Sequence, residues 1–297
     1  MKRTLAVVVS AAALLLSACG SSDSLGGGED SGSGGGQIVV GSADFSENKI
    51  LAEIYAGALR NAGLDATTKQ NIGAREVVVT ALQDGSLGVV PEYSGNLLTF
   101  FDKANELTTS EEVYAALGEK TPDGLTVLDK AEAEDKDVLV VTRETAATGI
   151  ASIEDLAPRC GEFVIGAAGE WETRWKDELA ELYGCTFKEF KATDAGGPIT
   201  VDALKNGESQ VANLFTTSAD IAANDFVQLA DPKNMYPAQN VVPLVRDAAV
   251  NDRGRAALNE VSAALTTENL AELVKRVDVD KETPADVAAN FLQQNGI

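Results

Sequence analysis

Short apolar runs alternate along this chain with segments whose apolar residues recur at helical spacing. Residues 38–55, IVVGSADFSENKILAEIY, give the clearest instance: Ile38, Val39 and Val40 run apolar, Gly41 turns the chain, and a helical pattern starts at Ile50. That order predicts strand, loop and helix, with Ser46 as the N-cap and Glu47 and Asn48 in the first turn. Loop 42–45 then sits at the C-terminal end of a strand, where open α/β sheets bind small ligands.

The same order recurs downstream. A strand over 66–69 precedes a helical pattern over 77–82 that Gly85 closes. Residues 87–101, LGVVPEYSGNLLTFF, read as a strand stopped by Pro91, a polar turn and a helix. Residues 106–137 read as charged and helical, and 138–142 as an apolar strand. Ser152 is an N-cap for a short helix. After it come a strand over 163–165, a loop over 166–172, a helix over 175–183, a strand over 186–190, a loop over 193–198 and a helix over 199–206. Residues 210–225 repeat strand, loop and helix, whereas Pro237 and Pro243 argue against a central strand over 236–246. The segment from Arg253 to Phe291 is helical. Alternating strands and helices predict an α/β protein with parallel sheets covered on both faces. Extended crossovers over 139–143 and 240–246 join two such units, giving residues 37–142 with 243–297 as one lobe and 143–242 as the other, with a cleft between them.

The first residues are a different kind of segment. Lys2 and Arg3 precede an apolar stretch over 5–16 that is too short for a comfortable span but suits a secretory leader. LSAC, ending at Cys19, resembles the bacterial lipoprotein signal box, which implies a signal peptide over 1–18 and a lipidated Cys19 as the mature N-terminus. Residues 19–36 are rich in Gly and Ser and form a flexible tether. The mature protein is expected on the extracytoplasmic face of the cell membrane, held by lipid alone.

A net charge of −22 over 297 residues argues against nucleic acid, whose binding needs a basic footprint. The chain has no histidine, so histidine-dependent triads and the commonest zinc sites are excluded, while carboxylate and lysine chemistry are not. Neither a metal nor a cofactor is expected. In an oxidising compartment, Cys160 and Cys185 suggest a disulfide, since each precedes a strand of one βαβ unit; two buried free thiols are the alternative. Closing that loop contributes about 3 kcal/mol on the chain-entropy model.

The strand-end loops deliver Asp44 and Phe45; Arg75; Glu92, Tyr93 and Ser94; Trp171 and Arg174; Phe215 and Thr216; and Tyr236 and Gln239. Aromatic residues are scarce, with 9 Phe, 5 Tyr and 2 Trp, so several near one cleft carry information. Ring faces hold ammonium groups by cation–π attraction, and a guanidinium meets a carboxylate in a fork. Together they suit a small zwitterion. A surface hydrolase using Asp44 and Glu92 is the competing reading, but YSG lacks the flanks of a nucleophile elbow and no histidine is available to activate Ser94.

GSADFSENKILAE, ALQDGSLGVVPEYSGN, GEWETRWKDELAELYG and MYPAQNVVPLVR follow one another in an order that resembles the ABC-importer substrate-binding proteins for glycine betaine, choline and carnitine. The resemblance runs from Ile38 to the C-terminus. It implies the two-lobed type II periplasmic-binding-protein fold, each lobe a mostly parallel sheet flanked by helices, with a two-strand hinge. It also implies a monomeric solute receptor, not an enzyme, that closes on a quaternary ammonium or zwitterionic osmolyte and serves a permease with its ATPase. Tyr93 falls on a tyrosine that forms a wall of the family's ammonium cage, and Arg174 on an arginine that grips the ligand carboxylate. Phe215 and Thr216 match the loop after a second-lobe strand. Ala43 stands where many relatives have lysine, Gly88 where aspartate is common and Gln239 where a cage tyrosine is frequent, which keeps open a different small polar solute.

Overall fold

A computed structural model describes residues 36–297. The expected signal peptide over 1–18, the expected lipidation at Cys19 and the expected tether over 19–36, all but its last residue, lie outside the described residues. In chain order the body begins with β1 (Ile38–Gly41), α1 (Ser46–Asn61), β2 (Ala66–Lys69), α2 (Arg75–Asp84), β3 (Val89–Tyr93), α3 (Ser94–Phe101), α4 (Ser110–Lys120) and β4 (Leu125–Val127). It continues with β5 (Asp137–Thr142), α5 (Arg143–Ala146), α6 (Ile153–Leu156), β6 (Val164–Ala167), α7 (Gly169–Tyr183), β7 (Glu189–Ala192), α8 (Pro198–Lys205), β8 (Val211–Phe215), α9 (Ala219–Ala223) and β9 (Phe226–Gln228). The chain then returns through β10 (Val241–Arg246) and ends in α10 (Asp252–Ala264), α11 (Thr267–Asp278) and α12 (Pro284–Asn295).

Ten strands make two five-stranded sheets, ordered β2-β1-β3-β10-β4 and β7-β6-β8-β5-β9. Within each sheet one strand runs against the rest: β10 lies antiparallel to β3 and β4, and β5 antiparallel to β8 and β9. Alternation along each strand feeds a core on either face. Val241 and Val245 pack with α1 and the C-terminal helices, whereas Val242 and Leu244 pack with α2, α3 and α4. In the second sheet Leu139 and Val141 face the α7 side, while Val138 and Val140 face α8 and α9. Each fully buried Val or Leu contributes about 1.5–3 kcal/mol, so both faces are held by the same alternation.

Several expectations move. Residues 138–142 belong to the second sheet, because β5 pairs with β8 over Asp137–Val141, so the first lobe ends before residue 137 instead of at 142. The crossovers expected at 139–143 and 240–246 are sheet strands, and the two-strand hinge lies earlier. Ala131 N bonds Val241 O at 2.9 Å, Val241 N bonds Ala133 O at 2.9 Å and Asp135 N bonds Gln239 O at 3.2 Å. The stretch expected to be helical over 106–137 thus contains α4, a short strand and half the hinge. Ser46 is the first helical residue and not the cap; the neighbouring loop is held by Asn48, whose Oδ1 accepts from Ala43 N at 2.7 Å and whose Nδ2 donates to Pro91 O at 3.1 Å.

Proline does enter the middle of the first sheet. Pro91 and Pro243 stand directly opposite each other in the β3–β10 ladder. Their carbonyls point apart, Pro91 O to Asn48 and Pro243 O to Leu128 N at 2.9 Å, so this is a pair that exchanges no hydrogen bonds with itself. The missing N–H groups therefore leave no acceptor unpaired between the two strands, and a central strand tolerates both residues.

The bridge between Cys160 and Cys185 is formed, with Cα atoms 5.4 Å apart. It ties the turn before β6 to the segment before β7, neighbouring parallel strands, as the βαβ spacing predicts. Gly95 marks the tightest approach of the first lobe to the hinge: a Cβ there would stand 2.5 Å from Ala238 O and 2.9 Å from Gln239 Nε2. The glycine of PEYSG is thus required by the returning backbone.

Candidate functional site

β3 ends at Tyr93 and passes without a turn into α3, while α7 begins at Gly169, earlier than the loop expected over 166–172. Trp171 and Arg174 are therefore carried by the first turns of a helix. Trp175, one turn beyond Trp171, shares its face. These elements and the hinge surround a cleft with two connected parts.

The smaller part, about 210 Å³, lies against the second lobe and is lined by Trp171, Arg174, Trp175, Asn213, Phe215 and Tyr236, with Asp135, Lys136, Asp137 and Gln239 from the hinge side. Its rings support one another. Trp171 Nε1 donates to the Tyr236 hydroxyl at 2.8 Å, and the Trp175 and Tyr236 rings meet edge to face at 5.2 Å. Arg174 is exposed, with its guanidinium 4.5 Å from the centre of the Trp175 ring, and it forms no ion pair among the described residues. Lys136, by contrast, is paired with Glu134 at 2.9 Å. Burial pushes the Asp137 carboxyl up, against hydrogen bonds from Asn213 and Trp175 and the charge of Arg174.

The larger part, about 930 Å³, lies against the first lobe and is lined by Ala43, Asp44, Phe45, Asn48, Arg75, Glu92, Tyr93 and Asp278. Asn96, Asp135, Ala195 and Phe215 border both parts, which makes them one cleft. Phe45 and Tyr93 stack at 6.2 Å with planes 30° apart. Arg75 grips Glu92 through Nε at 3.0 Å to each oxygen and Nη2 at 2.9 Å. Tyr93 donates its hydroxyl to Glu47 Oε1 at 2.6 Å. Glu47 is only 4% exposed, and burial, with Asp135 and Asp278 nearby, pushes its carboxyl up to about 8. Burial likewise raises Asp135 to about 6, against a 2.9 Å hydrogen bond from the Thr217 hydroxyl.

Of the residues singled out from the sequence, Asp44, Phe45, Arg75, Tyr93, Trp171, Arg174, Phe215, Tyr236 and Gln239 line this cleft. Ser94 and Thr216 do not. Ser94 is fully buried, accepts from Asn240 N at 3.0 Å and donates to Ala238 O at 3.4 Å. Thr216 donates to Glu134 O at 2.7 Å and accepts from Lys136 N at 3.1 Å. Both hydroxyls satisfy hinge backbone, a job that follows from polar atoms being buried where two lobes exchange chains. Gln239 has a mixed role, since its Oε1 accepts from Asn96 N at 3.0 Å while its side chain borders the smaller part. Glu47, Asp135, Asp137, Trp175 and Asn213 were not anticipated. Trp175 had a signal, the i, i+4 spacing from Trp171; the hinge carboxylates had none, because the segment reads as charged helix.

The Asp44 and Glu92 carboxylates form no dyad. Asp44 is 70% exposed and paired with Lys49 at 3.1 Å, and Glu92 is locked onto Arg75. What remains is an aromatic and charged crevice with no activated nucleophile. A family model described as the substrate binding domain of the ABC-type glycine betaine transport system matches residues 36–294. The chain belongs to this family.

Membership makes it a substrate-binding protein of an ABC transporter and not an enzyme. Over 273 residues it is 26% identical to the glycine-betaine-binding protein of Pseudomonas aeruginosa, covering 86% of this chain and 87% of that one. It is 23% identical over 268 residues to a carnitine transport binding protein of Listeria monocytogenes, covering 87% and 86%. Among solved structures it superposes on a glycine betaine/carnitine/choline ABC transporter protein with a TM-score of 0.82 at 21% identity, covering 87% of this chain and 98% of the other. Apo YehZ from Escherichia coli gives a TM-score of 0.77 at 25% identity, covering 88% and 99%. The two-lobed type II architecture is common to the family and to this substrate-binding protein. No described helix is long and apolar enough to cross a membrane.

Proposed function

We propose that this substrate-binding protein captures a quaternary ammonium or zwitterionic osmolyte in the interlobe cleft, works outside the cytoplasmic membrane on a lipidated Cys19, and delivers its ligand as a monomer to a permease and its ATPase. One observation carries the reading: the Trp171–Trp175–Tyr236 cluster and Arg174, without an ion pair among the described residues, face the same crevice as the stacked Phe45 and Tyr93. Ring faces attract a methylated ammonium and a guanidinium receives a carboxylate, so one small zwitterion satisfies both sides. A ligand stabilises the closed state only as far as it contacts both lobes, and Tyr93 and Arg174 supply one contact from each. The glycine betaine and carnitine named for its relatives have this chemistry.

Calorimetric titration of ligand-stripped protein with glycine betaine, choline, carnitine and proline tests the ligand class. Heat with at least one quaternary ammonium compound is expected, and silence with all four overturns the osmolyte reading in favour of another small polar solute. Incorporation of labelled fatty acid, lost in Cys19→Ala, tests the anchor.

A further inference from the structure

Resting on that reading, we propose that Glu47 is a positioning residue for the ligand's cationic head: it acts through the Tyr93 hydroxyl, and its ionisation sets how strongly the first-lobe wall attracts positive charge. Glu47 sits in the first turn of α1, behind the cleft lining, and touches the cleft through Tyr93, which donates to Oε1 at 2.6 Å. Its second oxygen, Oε2, is buried without a hydrogen-bond partner among the described residues. Thr217 stands beside it from the second lobe, but that hydroxyl gives its one proton to Asp135 Oδ1 at 2.9 Å, so toward Glu47 it is left to accept. A neutral Glu47 carboxyl has a proton to offer there, and an ionised one has not.

The surroundings decide the direction. Glu47 is faced by Tyr93 from β3, Asp135 from the hinge, Thr217 from the loop before α9 and Asp278 from the end of α11, and none of these is a cation. The nearby cations are already committed, Lys49 to Asp44 and Arg75 to Glu92. Asp137, next along the hinge from Asp135, is turned toward Asn213, Trp175 and Arg174. In the ligand-free cleft the carboxyl therefore holds its proton at neutral pH, which agrees with its displacement to about 8. A cation brought against Tyr93 supplies the missing positive charge. It favours the ionised carboxylate, the charge-assisted hydrogen bond to the Tyr93 hydroxyl strengthens, and the proton leaves to solvent. Binding of a cationic head and loss of this proton are thus linked: each favours the other.

The test is calorimetric titration at pH values from 6 to 9 with choline, a cation, and glycine betaine, a zwitterion, repeated in buffers of different ionisation enthalpy. Choline affinity is expected to rise about tenfold across that range with release of up to one proton, and betaine affinity to rise less because its carboxylate opposes the effect. Glu47→Gln keeps an acceptor for Tyr93 but has no ionisable group, and it should flatten the profile and abolish the buffer dependence. Tyr93→Phe, which keeps the ring and removes the link, should flatten it as well. Binding with a level or falling pH profile in the wild type, or a profile unchanged in Glu47→Gln, overturns the inference while leaving the proposed function standing. Absence of binding by both compounds at every pH overturns the inference, and silence with carnitine and proline as well overturns the proposed function.

Discussion

On the second-lobe wall three aromatic side chains brace one another and one guanidinium has no ion pair among the described residues, whereas on the first-lobe wall Arg75 is committed to Glu92 and Tyr93 to Glu47. One wall is a preformed surface with charge to offer. The other has committed its arginine and its tyrosine hydroxyl and presents mainly the faces of Phe45 and Tyr93. Similar residue types, an arginine and a few rings, thus have different work according to whether a buried carboxylate reaches them first. Under the proposed function the second wall orients the ligand's carboxylate, and contacts from both walls hold the closed state.

The largest expected effect probes the bracing. Trp171→Ala removes a side chain that is 4% exposed and donates to the Tyr236 hydroxyl, and should destabilise the fold by about 3–5 kcal/mol in urea unfolding. A loss no greater than that of Phe45→Ala would erase the contrast between the walls. Next come the two arginines. Arg75→Ala strands the 5%-exposed Glu92 and should cost about 2–3 kcal/mol of stability. Arg174→Ala should leave stability nearly intact but cost about 2 kcal/mol of affinity for glycine betaine. Should the two variants behave alike, the division of labour fails.

A smaller effect concerns pH. Glu47 is raised from 4.5 to about 8 by burial, so between these values the folded chain holds a proton that the unfolded chain has released. Its contribution to stability is complete below pH 4.5 and lost as pH rises through about 8; Asp135, raised to about 6, adds the same sign over a narrower window. The ligand-free Tm should fall by about 3 °C or more from pH 5 to pH 8.5, and by less in Glu47→Gln. Smallest of all, Phe45→Ala, at a position 43% exposed, should change stability by under about 0.5 kcal/mol and act on ligand affinity alone.

Much of this architecture is legible in the sequence because apolar period is a local property. Ile38 to Val40, Gly85 and the flanks of Cys160 and Cys185 announce their elements without help from distant residues. The hinge does not announce itself: residues 131–135 take extended pairing from a strand more than a hundred positions away, and the charge pattern there points to helix. Pro243 misleads for a related reason, since whether a proline suits a central strand depends on which residue the register sets opposite. In the site, ring and arginine positions are recoverable from loops and motifs. Their partners are not, and Glu92 on Arg75 or Glu47 on Tyr93 emerges only when separate strands and helices meet.

The facing prolines of β3 and β10 have one last bearing on the crevice. Slipping either strand by a single place would set a proline across from a carbonyl that needs a donor, and would turn Glu92 and Tyr93 through the plane of the sheet. The pair thereby acts as an alignment key, fixing which side chains look outward long before any solute arrives.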